Sequence, residues 1–160
     1  MERGTTLFLK VVVFLIGIVF LAVYIFIVPG IAHYAEELYP DSSYIQYFLF
    51  VDLYATAIPF YFALYQALKL LTYIDKNNAF SELSVRALKN IKFCAAAISI
   101  LFVLGMPLFY LLAEEDDAPG ILLIGLVIIF ASMVIAVFAA VLQRLLQNAI
   151  AIKSENDLTV

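Results

Sequence analysis

Long apolar runs alternate along the chain with short polar breaks. Residues 11–28 carry no charge, and further apolar runs follow over about 45–71, 91–112 and 121–142. At about 1.5 Å per residue the first run covers roughly 27 Å, close to the hydrocarbon thickness of a bilayer. The runs are too long for barrel strands and lack their apolar/polar alternation. In lipid the backbone must satisfy its own hydrogen bonds, so four transmembrane helices are predicted, at about 8–28, 45–71, 91–112 and 121–142. A cleaved signal peptide has a shorter apolar core, about 7–15 residues, and a small-x-small site. Ala32-His33-Tyr34-Ala35 lacks that spacing, so the first run reads as a retained span.

Punctuation in the sequence sets the boundaries. Pro29-Gly30 is expected to stop the first helix, and Gly105-Met106-Pro107 to bend the outer half of the third. Pro119-Gly120 opens the fourth. Between the second and third spans, over 72–90, Asn77-Asn78 reads as a turn. Ser81 is placed to cap a helix, with Glu82 set against its dipole. Leu83, Ala87, Leu88 and Ile91 then form an apolar stripe that runs into the third span. The tail, 143–160, reads as a continuation of the fourth helix, with Leu145, Leu146, Ala149, Ile150 and Ile152 at near-helical spacing. Tyr34, Tyr39, Tyr44 and Tyr47 cluster where the second span begins, as expected of an interfacial belt.

Three spans carry a stripe suited to close packing. In the second it is Ile45, Leu49, Asp52, Thr56, Pro59, Ala63, Gln66 and Leu70, with Phe50, Leu53, Phe60, Tyr61, Leu64 and Leu68 opposite and expected to meet lipid. The third offers Cys94, Ala95, Ala96, Ala97 and Ser99; the fourth offers Gly125, Ser132, Ala136, Ala139 and Gln143. Small residues let helices approach where lipid removes any hydrophobic drive between them. Short loops favour antiparallel neighbours. The predicted architecture is a single all-α membrane domain over 1–160, an up-down antiparallel bundle of four transmembrane helices.

Charge orients it. All nine Lys and Arg fall at one end: Arg3 and Lys10, then Lys69, Lys76, Arg86, Lys89 and Lys92, then Arg144 and Lys153. The other two breaks carry acids, Glu36, Glu37 and Asp41 in one and Glu114-Glu115-Asp116-Asp117 in the other. Cationic segments resist translocation, so both termini and the 72–90 loop are expected in the cytoplasm. Composition agrees with a membrane class. The chain is 66% hydrophobic, against about 45–50% for ordinary soluble domains. Its net charge of −4 gives no support to direct nucleic-acid binding. One cysteine, Cys94, rules out an internal disulfide.

Candidate chemistry is sparse. Asp52 lies about two turns inside the second span, where a charge costs about 2.5–3.5 kcal/mol on insertion scales. Thr56 is one turn away and expected to share a hydrogen bond with it, and Gln66 extends the polar stripe. A cation or proton site is one reading; a neutral Asp bonded to nearby hydroxyls is the other. His33 is the one histidine, near Glu36 and Glu37, and a single imidazole makes a poor metal site. The acidic run at 114–117 reads more simply as a solvated turn than as a binding site. No zinc pattern, phosphate loop or nucleophile elbow is present, so neither an enzyme nor a cofactor is indicated.

The segments Asn78-Ala79-Phe80-Ser81, Leu88-Lys89-Asn90-Ile91, Ala151-Ile152-Lys153 and Glu155-Asn156-Asp157-Leu158-Thr159-Val160 together resemble the bacterial domain-of-unknown-function family 2975, the YoaS-like membrane proteins. Members often carry Pro where this chain has Ala79. The resemblance implies a four-pass protein of the bacterial inner membrane whose gene commonly neighbours that of a small helix-turn-helix regulator. It further implies a membrane partner that restrains or signals to that transcription regulator. The expected contact surface is Phe80, Ser81, Arg86 and Lys89 in the inner loop with Asn156, Asp157, Leu158 and Thr159 in the tail. The alternatives are a small transporter, channel subunit or ion-binding protein centred on Asp52, or an assembly subunit of a larger complex. The oligomeric state stays open.

Overall fold

In a computed structural model of the chain, residues 3–159 are described, with side chains to Leu158; Val160, the last residue of the predicted tail, lies outside the described residues. The regular structure in this range is all helical. The first span is α1 (Arg3–Ala22), a π-helical turn (Val23–Ile27) and α2 (Val28–Leu38). Then come α3 (Ser43–Asp75), α4 (Glu82–Glu115) and α5 (Gly120–Thr159). Four helical stretches, Arg3–Leu38, Ser43–Asp75, Glu82–Glu115 and Gly120–Leu158, are long and apolar enough to cross a membrane.

Pro29-Gly30 does not stop the first helix, contrary to expectation. A proline inside a helix deprives one carbonyl of its N–H partner. Here the chain changes register instead of ending: the Val28 N–H reaches back five residues to the Val23 carbonyl. In that register the N–H missing at Pro29 is the one that would have met the Tyr24 carbonyl. The Tyr54 hydroxyl, from α3, donates to that carbonyl at 2.5 Å. The helix therefore continues across the proline, and its vacant acceptor becomes a tie between spans.

The turns follow their sequence signals more closely. Asn77 and Asp117 adopt positive φ, 60° and 50°. Asn78 N–H then bonds the Tyr73 carbonyl at 2.7 Å, and Ala118 N–H the Ala113 carbonyl at 2.8 Å. Both are left-handed helix ends closed by a long-range turn bond, a conformation that Asn and Asp tolerate better than most residues. Ser81 caps α4 as expected, its Oγ accepting from the Ser84 N–H at 3.4 Å. The tail is helical to Thr159, so α5 is one 40-residue helix.

The helices pack in serial order. α1 and α2 lie on α3, α3 on α4, and α4 on α5; α5 makes its main packing with α4 alone. Small residues govern the α4–α5 contact. Cys94, Ala95 and Ser99 of α4 are buried, as are Gly125, Ser132, Ala136 and Ala139 of α5. Ser99 Oγ donates to the Ile129 carbonyl at 3.3 Å and Lys92 Nζ to Gln143 Oε1 at 3.1 Å. This register sets the first turns of α4 beside Leu146, Ala149 and Ile150, which are half-buried, while Leu145 and Ile152 remain exposed.

Of the α3 face expected to meet lipid, Phe50 is exposed, but Leu53, Phe60 and Tyr61 pack inside the bundle. Phe60 lies against Phe20 with ring centroids 4.7 Å apart. Tyr61 donates to the Gly17 carbonyl at 2.7 Å, and Leu53 is buried in the core with Val28, Ala35, Ile45, Leu49, Phe109 and Leu112. α3 has α4 on one side and α1–α2 on another, so it packs over a wider arc than one stripe, and helical periodicity alone cannot reveal that.

Candidate functional site

The three intramembrane candidates share α3 but not a site. Asp52 is half-buried and turned toward α4. A Cβ placed on Gly105 would lie 2.4 Å from Asp52 Oδ2, so the carboxyl occupies the space left by the absent glycine side chain. Among the described residues Asp52 Oδ2 finds no hydrogen-bond partner, although it is buried. The expected bond to Thr56 is not formed. Thr56 Oγ1 donates to the Leu53 carbonyl at 2.6 Å and pairs with the Tyr24 hydroxyl at 2.8 Å. Although one turn apart on the helix, the two side chains reach different neighbours, α4 for Asp52 and the first span for Thr56. Gln66 is buried ten residues beyond Thr56, about 15 Å farther along the helix.

The hydrogen bonds around Thr56 tie the first span in place. Tyr24 supplies a hydroxyl to Thr56 and a carbonyl to Tyr54, and Tyr61 reaches Gly17. None of these tyrosines stood out from the sequence as more than apolar filling or interfacial ring. Pro29 carried the usable signal, since a proline at membrane depth demands a substitute donor for the carbonyl that it leaves vacant.

At the basic end Asp75 lies just past the apolar stretch of α3. Its two oxygens are engaged by α1: Thr6 Oγ1 donates to Oδ1, and Lys10 Nζ lies 2.9 Å from Oδ2. The Thr6 hydroxyl first, and the Lys10 ammonium second, hold the Asp75 carboxyl below its ordinary value of 3.8, outweighing the opposing effect of burial. The proposed contact residues gather at this same end. Phe80 is 58% exposed and Leu158 83% exposed. Arg86, Lys89, Asn156 and Asp157 are exposed as well, and Ser81 is half-buried in its cap. Thr159 continues the helix, and its side chain is not among those described.

At the acidic end His33 faces Glu36 and Glu37 at 3.6 and 3.3 Å on an open surface. Among the described residues no group of three His, Cys, Asp or Glu side chains converges to hold a metal ion. Tyr39, between α2 and α3, donates to the Leu111 carbonyl at 2.9 Å. Burial, then the Glu115 and Glu114 carboxylates, raise its phenol above 10.

Since α5 packs on α4 rather than on α1 or α2, a cleft of about 680 Å³ lies between the first span and α5, floored by α3 and α4. Its lining is almost wholly apolar and includes Phe20, Ile31, Phe60, Phe102, Ile128 and Ile135. This cleft was not foreseen, because residue spacing shows which face of a helix is small or apolar but not whether the last helix closes against the first.

A family model described as a protein of unknown function, DUF2975, matches residues 30–160. The uncharacterized membrane protein YoaS of Bacillus subtilis (strain 168) is 70% identical over 160 residues, with both chains covered in full. No solved structure matches.

Proposed function

Taking as premise that this chain belongs to the DUF2975 family of membrane proteins, we propose that it docks a cytoplasmic protein, a helix-turn-helix transcription regulator, at the basic end of its bundle. The observation that carries this reading is the length of α5. Forty residues at about 1.5 Å each make a rod of roughly 60 Å, twice the hydrocarbon thickness of a bilayer. The surplus emerges at the basic end as a helix that keeps Ile152 and Leu158 exposed. Phe80 and Leu83 are exposed at the start of α4, at that same end. Exposed apolar side chains among charged ones are a common form of protein contact surface. The charge asymmetry supports an orientation with this end in the cytoplasm and the acidic loops outside, in a bacterial inner membrane. The neighbouring regulator gene implied by the family resemblance supplies the kind of partner.

Co-purification from native membranes with the product of the neighbouring regulator gene tests the proposal. Removal of Glu155 to Val160 combined with Phe80→Ala is expected to abolish capture while leaving membrane insertion intact. Undiminished capture would reject this surface, and a reporter fused after Val160 that proves active outside the cytoplasm would reject the orientation. A second reading, an ion- or proton-responsive membrane protein, is favoured by one observation, the partnerless buried Oδ2 of Asp52. Proteoliposome flux that vanishes in Asp52→Asn would select it.

A further inference from the structure

We propose that the cleft between the first span and α5 holds the hydrocarbon chain of an amphiphile with a cationic ammonium head, the head lying at the acidic end. The cleft lies at the depth of the apolar runs, where hydrocarbon is the surrounding solvent. Its volume of about 680 Å³ falls within the 300–1,000 Å³ typical of built ligand sites. On α5 the lining runs from Ile121 to Ile135. Fourteen residue steps cover about 21 Å, longer than the roughly 15 Å of one leaflet's hydrocarbon and suited to a single long chain lying along the helices. Of the polar side chains along the lining, Thr56 is taken up by Tyr24 and Leu53, and Ser132, on α5, is buried. The cleft offers a chain packing surface and no polar demand.

The mouth decides the head. Ile31, Tyr34, Leu112 and Ile121 line the acidic end of the cleft. The Asp116 carboxylate, in the α4–α5 turn, neighbours the Tyr34 phenol at that opening and is the chief cause that raises it to about 12. Glu114, Glu115 and Asp117 flank it, and Glu36 and Glu37 stand on the α2 side. All nine Lys and Arg are at the far end. A phosphate or carboxylate head would meet like charge here; an ammonium head would meet complementary charge, weakly screened at the membrane surface. A transmembrane helix from a second copy or another protein would also match an apolar cleft, but it would bring no cationic group to this mouth by necessity. The inference stands apart from the basic-end docking reading, since it uses none of those residues.

The test is retention of octadecylamine or octadecyl phosphate by the full-length detergent-purified protein, read as bound adducts in native mass spectrometry. Octadecylamine is expected to saturate at a concentration at least tenfold below that of the phosphate. Ala131→Trp and Ala63→Phe, which fill the cleft from its α5 wall and its α3 floor, are expected to lose the adduct. Asp116→Asn with Asp117→Asn is expected to narrow the head-group preference while keeping chain binding. Absence of an adduct, equal retention of both heads, or retention by a folded filled-cleft variant would overturn the proposal. So would a dimer that cross-links through cysteines placed at Ala131 and Phe20 of different copies. If neither filled variant folds, the head-group preference of the unaltered protein decides.

Discussion

Gly105→Ala adds one methyl group where the Asp52 carboxyl already sits. The new Cβ would lie 2.4 Å from Oδ2, 3.3 Å from Asp52 Cγ and 3.3 Å from the Phe109 ring. Ordinary contact begins near 3.4 Å, so the carboxyl must move by about 1 Å. Asp has only two side-chain torsions, and this one is held between α3 and α4. Overpacking of this kind costs typically about 1–3 kcal/mol. Against it stands the gain from removing a glycine inside a helix, about 0.5–1 kcal/mol. The net expectation is a loss of about 1–2 kcal/mol for Gly105→Ala alone. In an Asp52→Ala background the obstructing carboxyl is gone, and the helix gain then leaves the substitution neutral or slightly stabilising. The four proteins form a double-mutant cycle, read by thermal unfolding in detergent. At this chain length 1 kcal/mol corresponds to a shift of about 2–4 °C. A coupling of at least about 1 kcal/mol is expected for residues in contact. If Gly105→Ala had the same effect in both backgrounds to within about 0.5 kcal/mol, the carboxyl would not lie against Gly105 and the description of the α3–α4 contact would be refuted.

Two further predictions concern the ties on the first span. Tyr54→Phe leaves the Tyr24 carbonyl without its donor, a loss of about 1–3 kcal/mol for a buried acceptor. Pro29→Ala restores the missing N–H, so the same Tyr54→Phe change is expected to cost less in that background by the same unfolding assay; an undiminished cost would reject the link between the proline and the tyrosine. Asp75 makes stability depend on pH. Its folded carboxyl lies below its ordinary 3.8. Its contribution is therefore fully present above that value and is lost as pH falls through the lower folded one. Unfolding midpoints are thus expected to fall on acidification below about pH 4 in the native protein and to fall less in Asp75→Asn. Parallel profiles would show that the contact with Thr6 and Lys10 does not couple to folding.

Local features of this fold were legible where one residue type has one physical consequence. The four spans follow from uninterrupted apolar length, the α4 start from Ser81, and the α3 end from Asn77. The small stripe of α5 was read correctly because it has one close neighbour, α4. Features that depend on two distant segments were not legible. Pro29 marked a disturbance, but its outcome depended on a hydroxyl twenty-five positions later in the chain. Gly105 read as part of a bend, and nothing in its own helix shows that it also leaves room for Asp52 of α3. Thr56 and Asp52 looked like partners because they are one turn apart, yet each had a nearer claimant on another helix. The serial packing, and with it the cleft, depends on how four helices are arranged around one another, a property that no single periodicity encodes.

The uninterrupted course of α5 has a mechanical consequence. A rod of roughly 60 Å that pivots near its middle carries its last turn about 2.6 Å sideways for each 5° of tilt. Among the described residues its main packing is with α4, so the opposite flank offers little resistance to such a swing. A tilt imposed at the Gly120 end of so long an unbroken helix would therefore be carried along its whole length to Leu158.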